Sequence, residues 1–338
     1  MKKLDNRVKL SLGIVLSVVF MILAFRRVDF NQMMNAIKGV NSLFFLIIVG
    51  IIVFNTWLRT LRWQYFLMPI KRLDMESLLS SLVIGYAANI MLPAHLGEFL
   101  RAYVIGKKRS IPIGSAFATI VTERVVDLFS LLVLMACAVA IYPFPGWVKR
   151  SGYVLFFATV ALFLFLFVLK RDDERTLHWV HLILKPFPEK LRSKFLKMAS
   201  SFLEGFVGLE SWEHYVFVVF LSLLIWVCYG LVFLFGFLAF DYHLPWVASL
   251  VVLVFVTISV VVPSSPGYIG TYHWLCQIAL GLFGISKSSA LAYALVIHGI
   301  NMFPFLFVGL LLAWKEGVSI SRMAGSYRFK QEVAGDLK

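Results

Sequence analysis

Three short stretches of this chain carry polar groups whose types and spacing can do chemistry, and each lies within a strongly apolar run. In the first, Glu123-Arg124-Val125-Val126-Asp127, the two carboxylates share a helical face at i,i+4, and Arg124 can pair with Asp127 at i,i+3. Glu123 stands eleven residues into its apolar run, about 16 Å along a helix, which is near the centre of a bilayer. Each charge at that depth costs about 2.5–3.5 kcal/mol, so three together require a reason. They form either a buried structural ion-pair network or a headgroup or proton site that lines a wet cavity.

The second stretch is Pro93-Ala94-His95-Leu96-Gly97-Glu98-Phe99-Leu100-Arg101. Proline and glycine interrupt the helix, and a half-helix starting near Gly97 would turn unpaired N–H groups and a positive dipole end toward an anion. Glu98 and Arg101 lie one turn apart; they either serve such a site or pair with each other at the cytoplasmic surface. The third stretch, Ser264-Ser265-Pro266-Gly267-Tyr268-Ile269-Gly270-Thr271-Tyr272-His273, offers hydroxyls and a flexible backbone. It binds an ion or phosphate, or simply turns a buried loop. Asn89, His298 and Asn301 stand in apolar helices and either complete a cavity or are satisfied by a neighbouring helix. Arg59 and Arg62 close a span on the cytoplasmic side. They can draw in anionic lipid there, although long cationic side chains at span ends more commonly snorkel as orientation anchors.

The elements that position these groups follow from hydropathy. The 338 residues are 60% hydrophobic and 15% charged, with a mean hydropathy of +0.86. No soluble domain hides that much apolar surface, so the chain is an all-α polytopic membrane protein; strands of alternating polarity, as in a barrel, are missing. Long apolar runs occupy 10–25, 43–62, 112–141, 151–169, 214–240 and 288–314, and interrupted ones 77–107 and 246–284. This reads as about six full spans plus two re-entrant broken-helix hairpins. The basic N-terminus followed by residues 10–25 reads as an uncleaved first span, because Arg26-Arg27 follow it in place of a small-residue cleavage site. Residues 170–213 read as amphipathic helices on the cytoplasmic surface. Cys137, Cys228 and Cys276 have neither metal nor redox spacing and read as packing residues.

The formal charge of +14 is placed asymmetrically. With the N-terminus inside, 24 Lys and Arg fall on the cytoplasmic side and 6 opposite. Both termini are therefore expected in the cytoplasm, in the cytoplasmic (inner) membrane, with anionic lipid and not nucleic acid as neighbour. The order span, span, hairpin, span recurs with the hairpins entering from opposite sides. Residues 1–145 and 146–317 then form an inverted repeat within one membrane domain, followed by a tail at 318–338. Ile111–Ala118 aligns with Ile285–Ala292 at an offset of 174, which carries Arg124 onto His298 and Asp127 onto Asn301. Pro93-x-x-x-Gly97 likewise matches Pro266-x-x-x-Gly270. Inverted repeats are a common device for alternating access.

Taken together, Arg59-x-x-Arg62-Trp63, Asn89-x-x-x-Pro93-Ala94-x-x-Gly97-Glu98-x-x-Arg101, Thr122-Glu123-Arg124-x-x-Asp127 and Pro263-x-x-Pro266-Gly267-x-x-Gly270-Thr271 resemble the lysylphosphatidylglycerol synthase/flippase membrane domain. That family includes the flippase-like UPF0104 membrane proteins. The resemblance implies a helical fold with re-entrant segments that moves phospholipid or polyprenyl-linked lipid between leaflets. His273 and His298 stand where the family often has an acidic residue and an arginine, which implies a different lipid choice or coupling. A separate aminoacyl-transferring domain is not expected after residue 314, nor lysyl-lipid synthesis by this chain alone.

The resulting expectation is a transporter, not an enzyme, that carries an anionic or phosphate-bearing lipid through a polar mid-membrane cavity. Its substrate-binding candidates are Arg124, Arg101, Glu98, Glu123, Asp127, Asn89, His273, His298, Asn301, Ser264, Ser265 and Thr271. The arginines and histidines would balance a phosphate, and the carboxylates would hold the arginines and exchange protons. No catalytic residue, metal or cofactor is expected, since nucleotide-loop, zinc-helix and nucleophile-elbow motifs are missing. A homo-oligomer or an envelope-biosynthesis partner is compatible with this reading. Two rival classes are an exporter of a soluble substrate and a non-catalytic scaffold for a cell-envelope glycosyltransferase.

Overall fold

The computed structural model describes residues 18–92, 95–142, 211–261 and 266–318, with isolated positions between 146 and 189. Among these, secondary structure is entirely helical. Residues 18–25 are helical, followed by α1 (Phe30–Lys38), α2 (Leu43–Leu67), α3 (Met75–Met91), α4 (Leu96–Arg109) and α5 (Ile113–Ile141). The later part comprises α6 (Trp212–Ala239), α7 (Val247–Val261), a single 3-10 turn (Pro266–Tyr268), α8 (Thr271–Gly281) and α9 (Lys287–Lys315). Half of the expected span at 10–25, most of the span at 151–169 and most of the amphipathic segment at 170–213 lie outside the described residues.

Helices α2, α6 and α9 are each long and apolar enough to cross a membrane. Their outward faces carry large exposed apolar side chains, among them Leu46, Val53, Phe220, Phe307 and Trp314. Such a surface is stable only against lipid or another apolar partner. Cys228 and Cys276 are buried as expected, but Cys137 is exposed on α5, so it faces outward and packs no core.

Contacts near the helix ends define two ends of the bundle. At one, Tyr65 of α2 meets His214 of α6, Lys108 pairs with Glu316 at 2.6 Å, and Asp74 pairs with Arg109. At the other, Asn41 N–H donates to the Ala239 carbonyl at 2.9 Å, Asp29 N–H to Ser288 Oγ at 2.9 Å, and Tyr142 packs on Phe283. The first end holds Lys71, Arg72, Lys107, Lys108, Arg109 and Lys315, and the second Arg26, Arg27, Lys38 and Lys287.

Each interrupted stretch doubles back. The start of α3 and the end of α4 meet at the basic end through Asp74 and Arg109, and the arms pack antiparallel. Close approach is possible because Gly85 and Gly97 face each other: a Cβ on Gly97 would collide with the Gly85 carbonyl and the Asn89 backbone. Helices α7 and α8 also pair, and the end of α8 lies at the opposite end, where Phe283 packs on Tyr142. Both turning points carry a non-glycine residue in the left-handed region, His95 at φ 54° and Tyr268 at φ 57°. These two residues meet, with Tyr268 Oη 3.4 Å from His95 Nδ1. Residues beside the two helix breaks therefore touch.

Candidate functional site

Glu123 on α5 is fully buried, and four arginines converge on it. Its Oε1 lies 2.7 Å from Arg59 Nη2, 3.4 Å from Arg62 Nη2 and 2.9 Å from Arg124 Nη2, while Oε2 lies 2.9 Å from Arg101 Nη2. Asp127, one turn further on, takes Arg62 at 2.8 Å, Arg124 at 3.4 Å and Arg59 at 3.5 Å. Arg124 also reaches Glu98 of α4 at 3.5 Å. The cluster thus pins α2, α4 and α5 together through four guanidinium groups and three carboxylates. One positive charge is left over, and in a low-dielectric interior that excess favours an anion.

Each arginine is aimed by further contacts. Arg59 Nη1 donates to Tyr229 Oη at 2.6 Å, and Arg62 Nη1 to Ser222 Oγ at 3.0 Å, both on α6. The Arg101 guanidinium stacks 3.6 Å from the Trp63 ring centroid, and Trp63 Nε1 donates to Thr119 Oγ1 at 3.0 Å. Arg101 is therefore firmly held and 3% exposed, whereas the Arg124 side chain is 39% exposed.

Beside the cluster, between the hairpin tips and α2, α5, α6 and α9, lies a cavity of about 690 Å³. Arg59, Arg124, Asp127, Glu98, Asn89 and His95 line one part of it, and Leu131, Val232, Phe233, Leu253, Val256 and Phe305 another. The wall is amphiphilic: a charged pole, with the remaining arginines of the cluster behind it, and a broad apolar side. Among the described residues, no three His, Cys, Asp or Glu side chains gather as a metal site would.

Of the residues singled out by sequence, Asn89, Glu98, Arg124, Asp127, His298 and Asn301 line this cavity. Arg101 and Glu123 stand behind the wall. His273 lies behind His298, with Nε2 3.4 Å from His298 Nδ1, and accepts from the Gly270 N–H at 3.2 Å. Thr271 is buried and donates to the Tyr268 carbonyl at 3.0 Å. Ser264 and Ser265 lie outside the described residues. Glu98 and Arg101 do not pair with each other as the i,i+3 reading allowed; they reach Arg124 and Glu123 instead. The Gly97 N–H at the half-helix start is taken by Asn89 Oδ1 at 2.8 Å, so it is not open to an anion.

The reading of Arg59 and Arg62 as snorkelling anchors is corrected: they are 7% and 0% exposed and sit at the centre of the cluster. Helix α2 runs on to Leu67, beyond the apolar run that ended at 62, so Arg62 and Arg59 lie about 8 and 12 Å inside its end. Removing them from the cytoplasmic count leaves the basic asymmetry in place. A signal was available in the polar stripe Asn55, Thr56, Arg59 and Arg62, which recurs at helical spacing inside an apolar helix. Tyr86, Trp226 and Tyr229 also line the cavity, and nothing in their spacing marked them.

A helical bundle with an apolar exterior and a buried charge cluster beside a cavity defines a polytopic membrane protein with an internal polar site. The chain belongs to the family described as the lysylphosphatidylglycerol synthase TM region, which it matches over residues 10–309. It is 25% identical over 323 residues to a UPF0104 membrane protein of Methanothermobacter thermautotrophicus, covering 91% of this chain and 96% of that one. It is 21% identical over 301 residues to the UPF0104 membrane protein MJ1595 of Methanocaldococcus jannaschii, covering 85% and 89%. A shorter likeness joins it to Glycosyltransferase AglD of Haloferax volcanii, 26% identical over 130 residues, 38% of this chain and 21% of that protein.

Proposed function

We propose that this protein is a flippase-like transporter that carries the anionic, phosphate-bearing headgroup of a lipid between leaflets while its tails remain in the membrane. The observation that carries this reading is the amphiphilic cavity set against a charge cluster that holds one more guanidinium than carboxylate. A phosphate in hydrocarbon loses its hydration, and Arg59 and Arg124 replace that shell with charge-assisted hydrogen bonds. Glu98, Glu123 and Asp127 hold the guanidinium groups in place when no headgroup is bound. The apolar wall suits the first carbons of the tails.

The topology proposed for this role is an inverted repeat with both termini in the cytoplasm of a cytoplasmic-membrane protein. Its support is the neighbour pattern: α2 with α6, α3 with α4 as α7 with α8, α4 with α5 as α8 with α9, and α3 with α9 as α7 with α5. The hairpins then enter from opposite faces, and the more basic end faces the cytoplasm.

Lipid movement in reconstituted vesicles tests the function. Arg124→Ala and Glu98→Gln should each slow headgroup translocation at least ten-fold, and undiminished movement in both would refute the reading. The partial likeness to a glycosyltransferase favours one alternative, a membrane scaffold for such an enzyme. A scaffold tolerates both substitutions and co-purifies with an enzyme instead of transporting.

A further inference from the structure

The same cavity holds polar groups that a phosphate and its tails do not use. Trp226 Nε1, Tyr272 Oη and Tyr86 Oη are buried and have no hydrogen-bond partner, and all three residues line the cavity from three different helices. Trp226 and Tyr272 are only 5% and 6% exposed. Buried indole N–H and phenol groups normally find partners, and three orphans around one cavity point to a ligand with matching atoms. The phosphate reading leaves them idle, because the cationic pole is built from guanidinium groups and an acyl or prenyl tail offers no acceptor.

We propose that the cavity contains a second subsite for a polyhydroxylated group, so that the cargo is a phosphate-bearing lipid whose headgroup carries a sugar or comparable polyol. This rests on the phosphate-lipid reading above and narrows its cargo. Five aromatic residues that carry a polar atom, Tyr86, Trp226, Tyr229, Tyr268 and Tyr272, line the cavity. Their rings match the apolar C–H faces of a sugar, and their polar edges match its hydroxyls. Indole N–H is a donor only and requires an acceptor oxygen, whereas each phenol can both donate and accept, as hydroxyl partners do. An ammonium headgroup fits poorly, since it supplies donors alone and meets the excess positive charge of the arginine cluster. The geometry links the two subsites: Tyr229 Oη accepts from Arg59 at 2.6 Å, and the Trp226 and Tyr229 rings are 5.8 Å apart. Tyr86 also lies beside the same guanidinium, its ring centroid 5.4 Å from Arg59 Cζ. A polyol joined to the phosphate therefore extends from the arginine pole onto the aromatic wall.

Native mass spectrometry of the full chain in detergent tests this with three lipids of matched acyl chains. Phosphatidic acid presents phosphate alone, phosphatidylinositol presents phosphate and a polyol, and monoglucosyl diacylglycerol presents a polyol alone. The wild-type protein should bind phosphatidylinositol at least ten-fold more tightly than phosphatidic acid. In Trp226→Phe and Tyr272→Phe that ratio should fall to about three or less. A ratio within one protein is not mimicked by a loss of fold, which lowers both affinities. Should Trp226→Phe fail to fold, Tyr272→Phe and Tyr86→Phe carry the same reading through single hydroxyl deletions. Equal binding of the two phospholipids by the wild type, or a preference that survives the substitutions, overturns the polyol subsite and leaves the phosphate reading standing. Binding of the glucosyl lipid with none of phosphatidic acid supports the polyol subsite and overturns the phosphate reading instead.

Discussion

Glu123 is the residue on which the site depends. A carboxylate with no exposed surface and four guanidinium neighbours resembles a bound anion more than an ordinary surface ion pair. Removing one partner from a buried charged group leaves the others uncompensated and typically costs about 3–5 kcal/mol. Glu123→Gln should therefore lower thermal stability in detergent much more than Glu98→Gln, whose side chain is 21% exposed and has a single arginine partner. Similar melting temperatures for the two variants would contradict the central role given to Glu123. The sequence placed Glu123, Arg124 and Asp127 together but not their partners. Arg59 and Arg101 stand 64 and 22 positions away from Glu123, a distance that only the packing of three helices closes.

At the scale of elements, the α3–α4 hairpin is what carries Arg101, Glu98 and Asn89 to the cluster. Its arms meet at Gly85 and Gly97, where any side chain on Gly97 would strike backbone atoms. Gly97→Ala should cost about 1–3 kcal/mol by overpacking and should slow transport as well, measured by melting and by lipid movement in vesicles. The start of the hairpin is fixed by Asp74, which caps α3 by accepting from the Ser77 N–H at 2.9 Å. Burial pushes the Asp74 carboxyl up, but the Ser77 N–H and hydroxyl and the Arg109 guanidinium outweigh it and bring it down to about 2. A depressed folded value means that the ionised group stabilises the fold above the ordinary carboxylate pKa, about 4. That stabilisation fades as pH falls from about 4 towards 2. Asp74→Ala should cost about 0.5–2 kcal/mol at pH 7, as lost N-caps do, and its gap from the wild type should narrow at pH 2.5 in thermal melts. A gap that is constant with pH would show that the cap works without its charge.

For the whole molecule, the contact between His95 and Tyr268 is the place where the two hairpins meet. In the proposed inverted repeat, alternating access would require these tips to part, or to slide past one another, in each cycle. A cysteine pair at 95 and 268, in a chain whose Cys137, Cys228 and Cys276 are replaced, should be joined by a short bifunctional methanethiosulfonate reagent that spans the former side-chain contact. The cross-link should arrest lipid movement, and reduction should restore it. Transport at full rate with the tips joined would show that the hairpins move as one body and that access alternates elsewhere.

Hydropathy by itself determined that this is a helical membrane protein, because no arrangement of so apolar a chain can satisfy both its side chains and its backbone in water. Residue type located the helix breaks, since Pro93 and Pro266 disrupt a helix interior and Gly267 adopts φ 68°. Motif order and spacing were enough to indicate the family. Tertiary structure decided which polar groups meet. Arg59 and Arg62, readable only as span-end cations, became the partners of Glu123 and Asp127 because α2 extends to Leu67 and turns that face onto α5. Trp226, Tyr86 and Tyr272 are ordinary aromatic residues in sequence, and their unpaired donors acquire meaning only around a shared cavity. Periodicity fixes the face on which a residue lies but not the helix that the face will meet, so the buried charges were legible singly and the site they form was not.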